Sequence, residues 1–227
     1  MEVRLAKPEE TKQVQNLWDY CFYEEPQYLQ WVFGSRYCAD NTVVAVEAGQ
    51  VTGALQLVPT ALHLHDKTEA CYYIAGVSVF AQSRGKGIAA AMMAFAEQIA
   101  AERGVSMLLL VPAISGYYER FGYVHCTSKE EYVFPVSLAA GYRFDGTAER
   151  VEKAAPLLPI YETYAKYWDV TIARTQQDME QIVQCFSAEC HGGAYVFYRK
   201  NEAVAYLVYH VTPQEINVPE CAYRNEA

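Results

Sequence analysis

The hydrophobic pattern opens with a short strand and a helix. Val3 and Leu5 precede Lys7-Pro8-Glu9-Glu10-Thr11, after which Val14, Leu17, Trp18 and Cys21 recur at helical spacing. Residues 22–37 are rich in Tyr, Trp and Phe and carry Glu24-Glu25-Pro26. Val43, Val44 and Val46 then form one arm of a predicted hairpin, Gly49-Gln50 its turn, and residues 51–58 the other arm. Residues 71–80 are a further strand-like run. It passes into Gln82-Ser83-Arg84-Gly85-Lys86-Gly87 and then into a helix reaching Arg103, with Ile88, Met92, Phe95 and Ile99 on one face. Gly104 stops that helix, and residues 105–111 form the strand that follows.

Beyond residue 135 the pattern loosens. Pro135, Gly141, Gly146, Pro156 and Pro159 punctuate a connecting region. Val170-Thr171-Ile172-Ala173 then precedes a helix containing Met179, Ile182, Val183 and Phe186, and a hairpin follows over 194–198 and 203–211 with its turn at Lys200-Asn201-Glu202. Strand, helix, hairpin is also the order at the start of the chain. V-R-L-A-K-P-E-E-T-K and V-T-I-A-R-T-Q-Q-D-M open the two copies. This predicts a first domain over 1–140, a linker over 141–169 and a partial second unit over 170–227, ending before anything that matches the glycine turn. The sheet of such a unit has an exposed edge, to be covered by the first domain, by a second subunit in a homo-oligomer, or by a segment outside the chain.

With 52% hydrophobic and 20% charged residues over 227 positions, the chain has enough apolar surface for a folded core. Its formal net charge of -9 argues against nucleic acid or an anionic membrane as partner, since both reward a basic patch. The apolar stretch 105–114 contains Pro112 and is far too short to span a bilayer. No basic stretch followed by an apolar segment opens the chain, so a cytoplasmic location is expected. The cysteines at 21, 38, 71, 126, 185, 190 and 221 form no C-x-x-C pair and are odd in number, which fits reduced thiols serving as small apolar side chains. His63 and His65 form H-x-H on a strand and would share a face, but no third ligand is evident nearby, and no metal is expected.

The glycine turn carries the strongest chemical signal. A helix N-terminus presents unpaired backbone N–H groups and the positive end of the helix dipole. Gly85 and Gly87 let a phosphate approach with no Cβ in the way, and Arg84 and Lys86 add positive charge. The turn therefore reads as a pyrophosphate cradle, against the plainer reading of a Gly-rich connection. Neither G-x-x-x-x-G-K-[ST] nor G-x-G-x-x-G is present, so the NTPase and dinucleotide fingerprints do not apply.

Q-x-x-G-x-G after a strand resembles the acyl-CoA pyrophosphate motif of the GCN5-related N-acetyltransferase (GNAT) superfamily. A-G-V-S-V-F before it is similar to the family's fourth strand, M-L-L-L-V-P-A to the fifth, and G-Y-Y-E-R-F-G-Y to the F-Y-x-x-x-G-F segment. The resemblance covers residues 1–134. R-F-G-Y together with the repeat resembles the Eis-like (enhanced intracellular survival) acetyltransferases, from whose plan this chain departs by its short second domain and missing third. What the resemblance implies is an α/β (α+β) fold, with a mixed, mostly antiparallel sheet, splayed central strands and flanking helices, followed by a partial second GNAT-like unit.

It further implies acetyl-CoA as co-substrate, an amine as acceptor and no metal. Val77, Ser78, Val79, Arg84, Gly85, Lys86, Gly87, Ile88, Ala89, Ala90 and Ala113 would hold the cofactor, with the backbone N–H groups of 77–79 facing the carbonyl oxygen. Tyr118 would protonate the departing thiolate, a role suited to a phenol that stays protonated at neutral pH. Tyr117 competes for that role. Glu24, Glu25, Glu69 or a water chain could serve as base. Phe22, Tyr23, Tyr28 and Trp31 could hold the acceptor or belong to the core. An acetyl-CoA-dependent N-acetyltransferase is the leading reading, and a non-catalytic acyl-CoA-binding module the alternative.

Overall fold

The computed structural model describes residues 1–128, 131–188 and 192–224. Along the chain, β1 (Glu2–Leu5) is followed by α1 (Thr11–Phe22) and by α2 (Pro26–Trp31), which continues as a π-helical turn (Val32–Arg36). Next come β2 (Thr42–Glu47), β3 (Gln50–Leu64), β4 (Lys67–Val79), α3 (Ile88–Glu102) and β5 (Met107–Leu109). The remainder holds α4 (Val136–Ala139), β6 (Thr147–Val151), α5 (Leu157–Ala165), β7 (Val170–Ala173), α6 (Gln176–Ala188), β8 (Gly193–Arg199), β9 (Glu202–Val211) and β10 (Ile216–Tyr223). This is the mixed α/β architecture expected, with helices flanking a mixed sheet. Among the described residues no helix is long and apolar enough to cross a membrane.

The first sheet runs β1-β2-β3-β4-β5, antiparallel throughout except for the parallel pair β4–β5. One face is covered by α3. Ile88, Met92, Met93, Ala96 and Ile99 pack there on Val43, Leu55, Leu57, Tyr72 and Ile74, and Phe95 lies at the margin. The other face takes α1, whose Val14, Leu17 and Trp18 are buried, as their spacing predicts. Tyr23, in left-handed backbone, ends that helix, its N–H donating to the Asp19 carbonyl at 3.0 Å. Just before α1, Arg4 and the buried Glu10 form a two-pronged ion pair at 2.6 and 2.8 Å, and the Lys7 backbone N–H donates to the same carboxylate.

The second sheet runs β10-β9-β8-β6, all antiparallel. The predicted hairpin is present as β8 and β9, with Lys200 and Asn201 both at positive φ, as a tight two-residue hairpin turn requires. This sheet has its own core, in which Leu157, Ile160 and Tyr161 of α5 and Met179 and Val183 of α6 pack on Val196, Tyr206 and Val208.

Three sequence expectations need correction. Residues 141–169 are not a linker, because they contain β6, which pairs with β8, and α5, which fills the second core. The strand read over 105–111 is paired only over Met107–Leu109, because its partner β4 diverges from it. And β7, read as the first strand of the second sheet, pairs instead with β3 of the first, Ala61↔Ala173 through Leu64↔Val170. The reason is length. β3 outruns β2, which pairs only up to Gln56, and β7 occupies the edge left open beyond it. A half-buried cluster then ties this strand back to the second unit. Arg174 pairs with both oxygens of Glu220, the Tyr206 hydroxyl donates to Glu220 at 2.6 Å, and the Arg174 guanidinium sits 4.4 Å from the Tyr161 ring centroid. Cys190 and the last three residues of the 170–227 unit lie outside the described residues. The other six cysteines form no disulfide with one another.

Candidate active site

Strands β4 and β5 share only three residue pairs, Cys71↔Met107 to Tyr73↔Leu109. From Ile74 to Val79, β4 stays paired with β3 but carries no strand on its other edge among the described residues. A gap opens there, and one wall of it is unpaired backbone. The wall is bent by a bulge: Gln56 faces Ala75 and Ala54 faces Ser78, so Gly76 and Val77 together oppose Leu55. Gly76 has φ +62°, and a Cβ on it would lie 2.2 Å from the six-membered ring of Trp18. Both conditions exclude other residues.

The glycine turn lies at the end of this wall. Gly85 and Gly87 have φ of +77° and +78°, with nothing within 4 Å of where a Cβ would stand. The space over the turn is open. The first helical bond of α3 runs from the Ala91 N–H to the Gly87 carbonyl, so the N–H groups of Ile88, Ala89 and Ala90 have no helical partner. Gln82, Arg84 and Lys86 are exposed, while Ser83 and Ile88 are buried and anchor the turn from below. Arg84 folds back, its Nε donating to the Val79 carbonyl at 3.0 Å; the Cys21 thiol meets the same oxygen at 3.8 Å. Ser78 turns its hydroxyl to the Ala54 carbonyl of β3 at 3.3 Å, and Val77 and Val79 pack toward α3.

Past β5 the chain forms the other wall. Ala113 is exposed there, followed by Tyr117 and Tyr118, whose rings meet edge-on at 5.0 Å. Tyr118 packs on the α3 core and also contacts Phe121 and Tyr123. Burial, with the Tyr117 and Tyr73 phenols adding, holds its pKa above the usual phenol value. Tyr117 is engaged differently: the Arg120 guanidinium lies 4.0 Å from its ring centroid.

This geometry coincides with a family match. Residues 2–126 fit the model of the acetyltransferase (GNAT) domain, more than half of the chain. The chain belongs to the GNAT acetyltransferase family. Solved structures agree on the fold. A GCN5-related N-acetyltransferase from Anabaena variabilis superposes with a TM-score of 0.77 at 18% identity, over 99% of this chain and 59% of that one. A probable N-acyltransferase from Enterococcus faecalis gives 0.74 at 18%, over 99% and 58%. Eis1 from Mycobacterium abscessus gives 0.71 at 18%, over 100% and 60%. This chain thus spans about three-fifths of the length of these structures. A search of curated proteins returned no match.

Within the GNAT fold the other candidates separate. Glu69 is exposed on β4 opposite Leu62, on the hairpin end that extends past β5, and so away from the gap. Glu25 is exposed and precedes α2, its carbonyl accepting from the Leu29 N–H; Glu24 is partly buried. His63 and His65 do not share a strand face, because β3 ends at Leu64 and His65 has φ +53° in the turn. His63 bonds Thr68 at 2.9 Å and His65 pairs with Asp169 at 3.5 Å. No group of three metal-ligating side chains occurs among the described residues. Of the aromatic segment, Tyr28 and Trp31 pack with Trp18, whereas Tyr23 is exposed.

Two residues of the GNAT gap escaped sequence reading. Tyr73 stands at the last position where β4 pairs with β5, near enough to Tyr118 to raise that phenol's pKa, and takes a hydrogen bond from the Val111 backbone. Gln56 is the one polar side chain in an apolar run of β3, and it is only 5% exposed. A glutamine inside a buried strand was the available signal.

Proposed function

We propose that the protein is an acetyl-CoA-dependent N-acetyltransferase that acylates a primary amine, of a small molecule or of a lysine side chain. The observation that supports this best is the joining of two features at one place: an unpaired, bulged strand edge, and an open glycine turn on a helix N-terminus at its end. The fit to the co-substrate is physical. A pyrophosphate needs unpaired N–H donors, positive charge and room, and the turn offers all three. The Eis-like subgroup is part of the proposal, supported by Arg120-Phe121-Gly122-Tyr123 and by the likeness to the Eis1 fold over the whole chain.

Acetyl-CoA supplies the activated thioester. The N–H groups of Ile88, Ala89 and Ala90, with Gly85 and Gly87 leaving room and Arg84 and Lys86 adding charge, hold the pyrophosphate. The free edge of β4 pairs with the pantetheine arm, and Ala113 faces it from the opposite wall. Backbone N–H groups that the stretch from Val77 to Val79 turns to the free edge meet the carbonyl oxygen as negative charge builds. The amine nitrogen bonds to the carbonyl carbon, the C–S bond breaks, and Tyr118 gives its proton to the sulfur. The amine's proton leaves to solvent, from which Tyr118 is reprotonated.

Native and denaturing mass spectrometry of the purified protein for bound CoA, followed by a thiol-release assay with acetyl-CoA and a panel of amines, tests this. Bound CoA at one per chain and amine-dependent thiol release are expected. Absence of thiol release with every amine class overturns the proposal.

A further inference from the structure

The face of the first sheet opposite α3 holds a group of buried nitrogen donors with no partner. Gln56 Nε2, Trp18 Nε1 and Trp31 Nε1 are each shielded from solvent and have no hydrogen-bond partner among the described residues. Gln56 and Trp18 are themselves only 5% and 8% exposed. Buried polar groups are nearly always paired, so three orphans call for an explanation. They also fall together. Gln56 is the cross-strand partner of Ala75, which places both on one face of the sheet. Ala75 packs against the cluster of Trp18, Leu29 and Val32, and Trp31 packs on the same cluster. Trp18 lies directly beneath the Gly76 bulge, and Tyr73, two residues before Ala75 on the same face, borders Tyr118. The donors are therefore gathered beside the mouth of the gap, under α2 and its π-helical turn. Such turns recur at functional sites.

Their chemistry is one-sided. An indole nitrogen can only donate, and a glutamine amide nitrogen also donates. None of the three nitrogens finds an acceptor among the described residues. We infer that Gln56, Trp18 and Trp31 form the acceptor-binding floor, and that the acceptor is an amine carrying a hydrogen-bond-accepting oxygen (hydroxyl, carbonyl or carboxylate) a few bonds from its nitrogen, not a bare alkyl polyamine. The overall charge of -9 permits a cationic substrate without selecting one. The floor, built of neutral donors and aromatic rings, selects on oxygen instead. A site whose buried donors are made to bond a substrate oxygen rejects an analogue lacking it, because the donors are then left unpaired. This inference rests on the N-acetyltransferase reading above.

The test compares matched amines: amino alcohols, amino acid amides and amino acids against diamines and spermidine of similar length. In the wild type, kcat/KM for at least one oxygen-bearing class should exceed that for polyamines by about 100-fold or more. Gln56→Met keeps the volume and removes the amide, and it should collapse that ratio to within about tenfold, mainly by raising KM for the oxygenated amine. Removal of an unpaired buried amide should not lower the melting temperature. Gln56→Glu, an acceptor in place of a donor, should collapse the ratio as well. Independently of turnover, the indole N–H resonance of 15N-labelled Trp18, assigned with Trp18→Phe, should move on titrating the oxygenated amine and not on titrating spermidine. Equal use of polyamines by the wild type, or a ratio unchanged in both Gln56 variants, overturns the inference while leaving the acetyltransferase reading intact. No thiol release with any amine overturns that reading, and this one with it.

Discussion

Gly76→Ala puts the bulge to the test. The substitution adds one methyl at a position with φ +62°, and the new carbon would lie 2.2 Å from Cζ3 and 2.7 Å from Cε3 of Trp18. Two costs follow. Left-handed backbone costs an L-residue about 1–2 kcal/mol. The clash is with a ring held in a buried cluster with Leu29 and Val32, so it cannot be relieved by a flexible chain end. Overpacking of this kind costs about 1–3 kcal/mol. The sum is about 2–5 kcal/mol, or about 4–20 °C in melting temperature for a chain of this size. Differential scanning calorimetry reads it directly. Trp18→Leu removes the obstructing ring, so the double variant should lose less than the two single losses added, by a coupling of about 0.5–3 kcal/mol. Affinity for CoA should also fall in Gly76→Ala, since the bulge aims the β4 edge into the gap. A Gly76→Ala protein melting within about 1 °C of wild type, or singles that add without coupling, would refute the reasoning.

Tyr118→Phe keeps the ring packed and removes the proton, so kcat should fall by about 10²–10⁴ in the thiol-release assay with the melting temperature unchanged; wild-type turnover would move the role to Tyr117 or water. Because burial holds the Tyr118 phenol above its ordinary value, any loss of kcat from its ionisation should come at a higher pH than for an ordinary phenol. Gly87→Glu places a negative charge at the N-terminus of α3 and a side chain at φ +78°; calorimetry should show CoA affinity lowered at least about tenfold with a modest drop in stability, and unchanged affinity would remove the turn from the site. Glu10→Gln should cost about 1–3 kcal/mol at pH 7. The Arg4 guanidinium, as the main cause, holds the Glu10 carboxyl below its usual range, so its stabilisation is complete above the ordinary glutamate pKa and is lost as pH falls through the lower folded value. Denaturant melts of wild type and variant should therefore converge in acid, and a gap that persists there would show the cost to be steric.

Features written within one short stretch of chain were legible before any fold was known. The apolar face of α3 follows from Ile88, Met92 and Ile99 at helical spacing. The open turn follows from Gly85 and Gly87, since left-handed backbone and clearance for an anion are demands a glycine advertises locally. The β8–β9 hairpin was legible from Lys200-Asn201 between two alternating runs. Pairing between distant strands was not. Nothing in Val170-Thr171-Ile172-Ala173 says that it will join β3, because a short strand offers the same hydrogen bonds to any free edge. The edge it found exists only because β3 outlasts β2 in three dimensions.

The same division holds at the site. The sequence by itself determined the family, the glycine turn before α3 and the tyrosine pair at 117 and 118, since each rests on neighbours a few residues apart. Only the tertiary structure decided that β4 and β5 part after Tyr73, that Gly76 yields to Trp18, and that the buried nitrogens of Gln56, Trp18 and Trp31 are left without a partner among the described residues. Those outcomes depend on how α1, α2 and the sheet close on one another. A glutamine in an apolar strand looks the same in the sequence whether its amide is satisfied or left waiting, and what separates the two cases is the set of atoms that packing brings to its other side.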